Sequence, residues 1–176
     1  MLARQGHDVL LLEEHELVGT PVHCTGLLGA EAFDEFDLPR SLILGHAGTA
    51  RFWGAAGQSV PIDSERVKAT IIDRAELDRM LAARAVAAGV ELRTGCRVER
   101  LSVDEDAVTI VVRDAEAPIR ARTCVLACGA NYRFHRQLGL GRPDVFLQSA
   151  QIETPFPDVP EVEVRFGREV APSGFA

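Results

Sequence analysis

The stretch VGTPVHCTG (Val18–Gly26) places a proline, a histidine, a cysteine and two glycines in nine consecutive residues. Such a run can be neither a helix nor a central strand. Its glycines let a backbone pass close to something bulky, and Cys24 adds one soft, reactive atom. Three roles stay open for Cys24: a small apolar wall residue, a redox-sensitive thiol, or a participant in proton delivery. His23 is a second candidate proton donor, with a solvated loop histidine as its ordinary alternative. A few residues earlier, VLLLEEH brings Glu13 to the end of an apolar run. In a nucleotide-binding βαβ unit the second strand delivers a carboxylate to the sheet edge, where it accepts hydrogen bonds from ribose hydroxyls. The glycine-rich GxGxxG turn that accompanies such a strand belongs about 20 residues upstream, a position that precedes Met1.

Other chemistries find little support. No carboxylate pair and no Ser/His/Asp array suggests hydrolysis. The four cysteines, at 24, 96, 124 and 128, include no CxxC pair for zinc and are too scattered for a secreted disulfide framework. A reducing, cytoplasmic setting is the default. Cys124 and Cys128 stand about 13 Å apart if the chain between them is extended, too far for a mutual disulfide. A net charge of −7 with no Lys/Arg cluster argues against a nucleic-acid surface. No apolar run reaches membrane-spanning length and no signal peptide is apparent; peripheral membrane contact is left open. At 47% hydrophobic and 26% charged, the 176 residues have a globular composition and can build one domain, or one and part of another.

The elements that must position these residues follow from pattern. The N-terminus reads as the last turns of a helix, a stop at Gly6 and a buried strand from Asp8 to Leu12. A short polar helix is expected from Ala30 to Phe36. Strands at Gly48 to Trp53 and Gln58 to Ile62 flank a Gly54–Gly57 turn as a hairpin. A helix from Arg74 to Ala88 starts with Asp73 as N-cap and Glu76 three residues on, and ends at Gly89. Its stripe of Leu77, Met80, Leu81, Ala85 and Ala88 is broken only by Arg84. Residues 90 to 114 alternate as two or three strands with an acidic turn at Asp104 to Asp106, and Pro118 opens another short strand. The run TCVLA (Thr123–Ala127) reads as a strand covered on both faces. Asn131 is placed to cap a helical stretch from Tyr132 to Leu138. From Val145 on, VFLQSAQIE and VEVRFGRE read as strands of a second sheet. Both chain ends read as cuts through a larger fold.

Four segments, in order, resemble the geranylgeranyl-reductase-type flavoproteins of the p-hydroxybenzoate-hydroxylase-like class. EEHELVGTPVHCTGLLG carries Gly19, Pro21 and Cys24 in that family's Gly-x-Pro-x-x-Cys pattern. DRAELDRMLAARAVAAGVELRTGCRVERL is similar to its Arg-led helix and following strand. VLACGANYRFHRQLGLG is similar to its Gly-containing turn, and APSGFA to the opening of a substrate-side motif. The resemblance covers nearly the whole chain. It departs at Cys128, where many relatives carry aspartate or threonine.

The resemblance implies an α/β fold: an FAD-binding Rossmann-like parallel sheet with helices and a β-meander, plus the start of an antiparallel substrate-domain sheet. Residues 1–144 would form a partial FAD-binding domain lacking its first strand and GxGxxG, with the strand pair near 48–62 on the substrate side. Residues 145–176 would begin the substrate domain. Glu13 would hold the adenosine ribose, Arg74 the pyrophosphate, and the Val98 backbone the adenine, while Gly129 lets the chain pass the dinucleotide. The loop with Pro21 and Cys24 would run past the flavin, its glycines avoiding a clash with the cofactor. The implied activity is reduction of an apolar, isoprenoid-like alkene through reduced flavin, with NAD(P)H or ferredoxin as electron donor and no metal. The alternatives are a flavin-dependent aromatic hydroxylase or halogenase relative, and an inactive fragment that binds no cofactor.

Overall fold

Eleven short strands and three helices make up the computed structural model, which describes residues 1–63, 69–152, 161–172 and 174–176. Within the expected segments, Glu153 and Ser173 lie outside the described residues. The chain divides into two units, Met1–Thr20 with Arg79–Phe146, and Pro21–Asp78 with Leu147–Ala176.

The first unit opens with a 3-10 turn over Ala3–Gln5, closed by Gly6 at φ +84° with its N–H on the Ala3 carbonyl. Strand β1 (Leu10–Leu12) then pairs in parallel with β7 (Glu91–Arg93). This ladder runs on past both strands. Glu13 N–H donates to the Arg93 carbonyl (3.0 Å), and Cys96 N–H donates to the Glu13 carbonyl (2.8 Å). Strands β8 (Val98–Val103), β9 (Val108–Val112) and β10 (Ile119–Ala121) form an antiparallel meander in the order β10-β9-β8. The Asp104 carboxylate closes the β8–β9 turn by accepting the Asp106 and Ala107 N–H groups at 3.0 and 2.8 Å. Leu101, Ile110, Val112 and Phe134 form this unit's buried core, and Leu12, Val98, Cys124 and Leu126 pack on it.

The second unit holds two three-stranded sheets. Strands β2 (Leu27–Gly29), β6 (Ala69–Ile72) and β3 (Ile43–Ala47) form an antiparallel sheet. Helix α1 (Ala32–Glu35) contributes Phe33, 2% exposed. The expected hairpin is β4 (Thr49–Trp53) against β5 (Ser59–Asp63), and β11 (Val162–Arg165) joins β4 in parallel. Helix α2 (Arg74–Ala87) starts as its sequence predicts, with the Asp73 carboxylate accepting the Glu76 N–H at 2.8 Å. That bond satisfies one of the donors a helix start leaves unpaired.

Three expectations need correction. TCVLA forms no strand among the described residues. Cys124 and Leu126 turn toward the core while Val125 is 77% exposed. An apolar run alone does not make a strand without a ladder partner on its flank. Residues 145–152 likewise form no strand, and Val145, Leu147 and Ile152 are all exposed. The α2 stripe is only half covered, with Leu81 46% exposed and no residue of the helix fully buried.

Candidate functional site

The sequence-predicted site residues fall into two sets, one in each unit. In the first unit, Glu13 stands at the carboxyl end of β1, half-buried. Its Oε1 accepts the His15 N–H at 2.8 Å and lies 2.7 Å from the His15 ring Nδ1. Oε2 has no bond among the described residues, so one carboxylate oxygen remains an acceptor for a ribose hydroxyl. Val98 begins β8, two residues beyond the Cys96 N–H that bonds to Glu13. The Val98 carbonyl in turn accepts from Arg133 Nη2.

Gly129 follows the TCVLA segment in a turn where Asn131 N–H donates to the Cys128 carbonyl at 3.3 Å. Its φ is +58°, and a Cβ built there would meet nothing within 4 Å. The glycine is thus needed for backbone conformation and leaves open space beside the turn. Asn131 Oδ1 accepts the Arg133 N–H at 3.3 Å just ahead of helix α3 (Arg133–Gln137), whose N-cap is Tyr132 rather than Asn131. Glu13, Val98 and the Gly129 turn are therefore linked through a continuous series of hydrogen bonds and chain segments in one unit. Cys128, in place of a carboxylate, spends its thiol on the Asn131 carbonyl at 3.4 Å. Burial first, and the neighbouring Cys128 second, push the Cys124 thiol above its ordinary value.

In the second unit, Arg74 sits at the first turn of α2 with Nε donating to Asp78 Oδ1 at 3.0 Å. That bond chiefly holds the guanidinium above its ordinary value; partial burial opposes it, and the nearby Cys24 adds to it. The Cys24 sulfur also accepts the Gly26 N–H at 3.5 Å, and its carbonyl accepts from Gln151 Nε2 at 3.3 Å. Sequence reasoning named Cys24 and Arg74 separately; the fold brings them near each other. It missed Asp78, whose signal is the Arg74-to-Asp78 spacing of one helical turn. Pro21 and His23 are exposed in the loop.

For Gly26 the fold itself supplies a reason. A Cβ on Gly26 would lie 2.5 Å from the Ile72 carbonyl oxygen, and the Gly26 carbonyl accepts the Ile72 N–H at 2.9 Å. This glycine makes room for β6 of the same protein, so cofactor clearance is not needed to explain it.

The same unit presents an amphipathic sheet. Direct pairing places Ala50, Phe52, Val60, Ile62, Val162 and Val164 on one face. Phe166 extends that face by stacking on Phe52 at 6.2 Å, and Val60 and Ile62 are 62% and 51% exposed. The opposite face carries Arg51 paired with Glu161 at 2.6 Å, and Arg165 over the Trp53 ring at 4.9 Å. Among the described residues no cluster of His, Cys, Asp and Glu could hold a metal ion, and no helix is long and apolar enough to cross a membrane.

Residues 65–171 match the family model for FAD dependent oxidoreductases. The chain belongs to that family. It is 31% identical to digeranylgeranylglycerophospholipid reductase 2 of Methanothermobacter thermautotrophicus, over 98% of this chain and 48% of the relative. It is 30% identical to geranylgeranyl diphosphate reductase of Rhodobacter capsulatus, over 88% of this chain and 40% of that protein. The chain spans about half the length of the curated relatives it matches. A geranylgeranyl bacteriochlorophyll reductase-like protein from Thermoplasma acidophilum shares the fold with TM-score 0.59 at 23% identity, covering 69% of this chain and 32% of that one. So does a halogenase solved with phloroglucinol and FAD, with TM-score 0.60 at 21% identity over 78% of this chain and 33% of that one.

FAD is the cofactor of this family, and the residues present suit it. A carboxylate oxygen without a partner suits a ribose hydroxyl, and an open positive-φ turn suits close passage of a dinucleotide. A guanidinium has five N–H donors, and the bond from Nε to Asp78 uses one of them, leaving donors for phosphate.

Proposed function

We propose that the natural protein containing this chain is an FAD-dependent reductase of an apolar, isoprenoid-like alkene, drawing electrons from NAD(P)H or ferredoxin. The observation that carries this reading is the exposed apolar face of the β11-β4-β5 sheet. An aqueous surface gains nothing from Val60, Ile62 and Phe166 standing together on one side. A long hydrocarbon chain laid on them would be favoured by about 25 cal/mol per Å² removed from water. The relatives are named as reductases of geranylgeranyl compounds, in agreement with such a substrate.

FAD, when bound, supplies the hydride chemistry; the protein holds and orients. Glu13 accepts from the adenosine ribose, the Val98 backbone lies against adenine, and Gly129 lets the chain pass the dinucleotide. Arg74 donates to the pyrophosphate. Cys24, whose sulfur accepts the Gly26 N–H, would line the reacting end of the site with Pro21 before it.

The test is anaerobic turnover by the natural full-length protein with a geranylgeranyl substrate, read by mass spectrometry. The expected product has double bonds saturated. Val60→Asp and Ile62→Asp should each raise KM about tenfold or more, because a buried unpaired carboxylate opposes chain binding. Oxygen consumption matched to hydroxylation of a phenol, with no saturated alkene, would replace this reading by an aromatic hydroxylase.

A further inference from the structure

Strand β8 is the outer strand of the meander, so among the described residues one of its edges has no strand beside it. Unpaired backbone groups on such an edge need partners. Helix α3 provides them from two side chains one turn apart. Arg133 Nη2 donates to the Val98 carbonyl. Gln137 bonds Leu101 twice, its Nε2 donating to the Leu101 carbonyl and its Oε1 accepting the Leu101 N–H at 3.5 Å. The Gln137 amide thus stands in for a strand peptide.

The spacing is unusual for a strand. In a regular antiparallel ladder, outward-facing backbone groups recur at even intervals. Val98 and Leu101 are three residues apart, and the register shift between Val98 and Arg100 supplies the extra residue. The bulge and the pair Arg133/Gln137 therefore match each other. Arg133 is further fixed by its guanidinium carbon lying 4.7 Å over the Phe134 ring, with Phe134 only 5% exposed. Its own N–H is bonded to Asn131, in the turn that carries Gly129.

We propose that Arg133 and Gln137 are positioning residues for the adenosine end of FAD. By fastening β8 to α3, they hold the Val98 backbone and the Cys128–Asn131 turn in one arrangement before the cofactor arrives. This rests on the flavoprotein reading above, and within it adds two residues that touch no part of the cofactor. Preorganisation of this kind strengthens binding by lowering the ordering cost at association.

The test is equilibrium titration of the natural full-length protein with FAD and with FMN, which lacks the adenosine half. Wild type would be compared with Arg133→Met, Gln137→Leu and Arg133→Lys. Hydrogen exchange at residues 98–101 and 128–131 of the flavin-free proteins gives a second readout. The account expects Arg133→Met and Gln137→Leu to weaken FAD about tenfold while FMN changes less than about twofold, with Arg133→Lys between. Amide exchange should speed up in both segments. If Arg133→Met does not fold, Gln137→Leu and Arg133→Lys carry the comparison. FAD and FMN weakening in proportion would reduce the pair to a stability role and overturn the proposal. So would unchanged FAD affinity in variants that have lost amide protection. A wild type that binds no FAD would instead end the flavoprotein reading, and this inference with it.

Discussion

Gly129 separates two explanations that often coincide for a glycine. Its φ of +58° imposes a backbone cost of about 1–2 kcal/mol on any other residue, but the space around its missing Cβ is empty. Gly129→Ala should therefore lower stability by about that amount in denaturant titration. It should reduce FAD affinity by a larger factor, because the methyl group would occupy the room left beside the turn. Gly26 is the opposite case. There the Ile72 carbonyl fills the space, so an added methyl would disrupt the flavin-free fold itself. A second residue-scale contrast lies between Cys124 and Cys128. Burial raises the Cys124 pKa, so at any given pH less of it is thiolate than of an ordinary thiol. Iodoacetamide should modify exposed Cys128 first at neutral pH, with Cys124 gaining ground as pH rises. Peptide mass mapping over a pH series checks this, and equal rates at neutral pH would contradict it.

The elements were legible where their determinants are local. Asp73 and Glu76 announce α2 three residues apart, and the structure makes the bond they predict. Asp73→Ala should cost about 1 kcal/mol of stability by chemical denaturation, as loss of a helix cap does. The β4–β5 hairpin and the Asp104 turn were equally readable, since each is closed by groups within a few residues. The sheet β2-β6-β3 was not. Its strands are three to five residues long and pair across roughly twenty to forty positions, as with Ala47 and Ala69 or Leu28 and Thr70. No short-range periodicity records that. TCVLA failed in the other direction: its composition fits a central strand, but a strand exists only through its neighbours. The same limit hid the staple between α3 and β8. Arg133 and Gln137 are visible as a one-turn pair, but nothing local says that a bulged edge strand waits for them.

At the scale of the molecule, two compact units share one chain, each returning to its own core after an excursion through the other's sequence. The family was readable because four motifs recur in a fixed order. The grouping of the site residues was not, because it depends on pairings such as that of Cys96 with Glu13. Within the first unit, a series of hydrogen bonds and chain segments joins the backbone of Glu13, the proposed ribose residue, to the proposed adenine strand and dinucleotide turn. The measurement that tests this most directly is equilibrium binding of FAD to the natural full-length protein and to its Glu13→Gln variant. The account predicts one FAD per wild-type chain, and affinity reduced about tenfold or more in the variant, as expected for loss of a charge-assisted hydrogen bond. Wild-type protein that takes up no FAD, or a variant that binds it as tightly as wild type, would contradict the account.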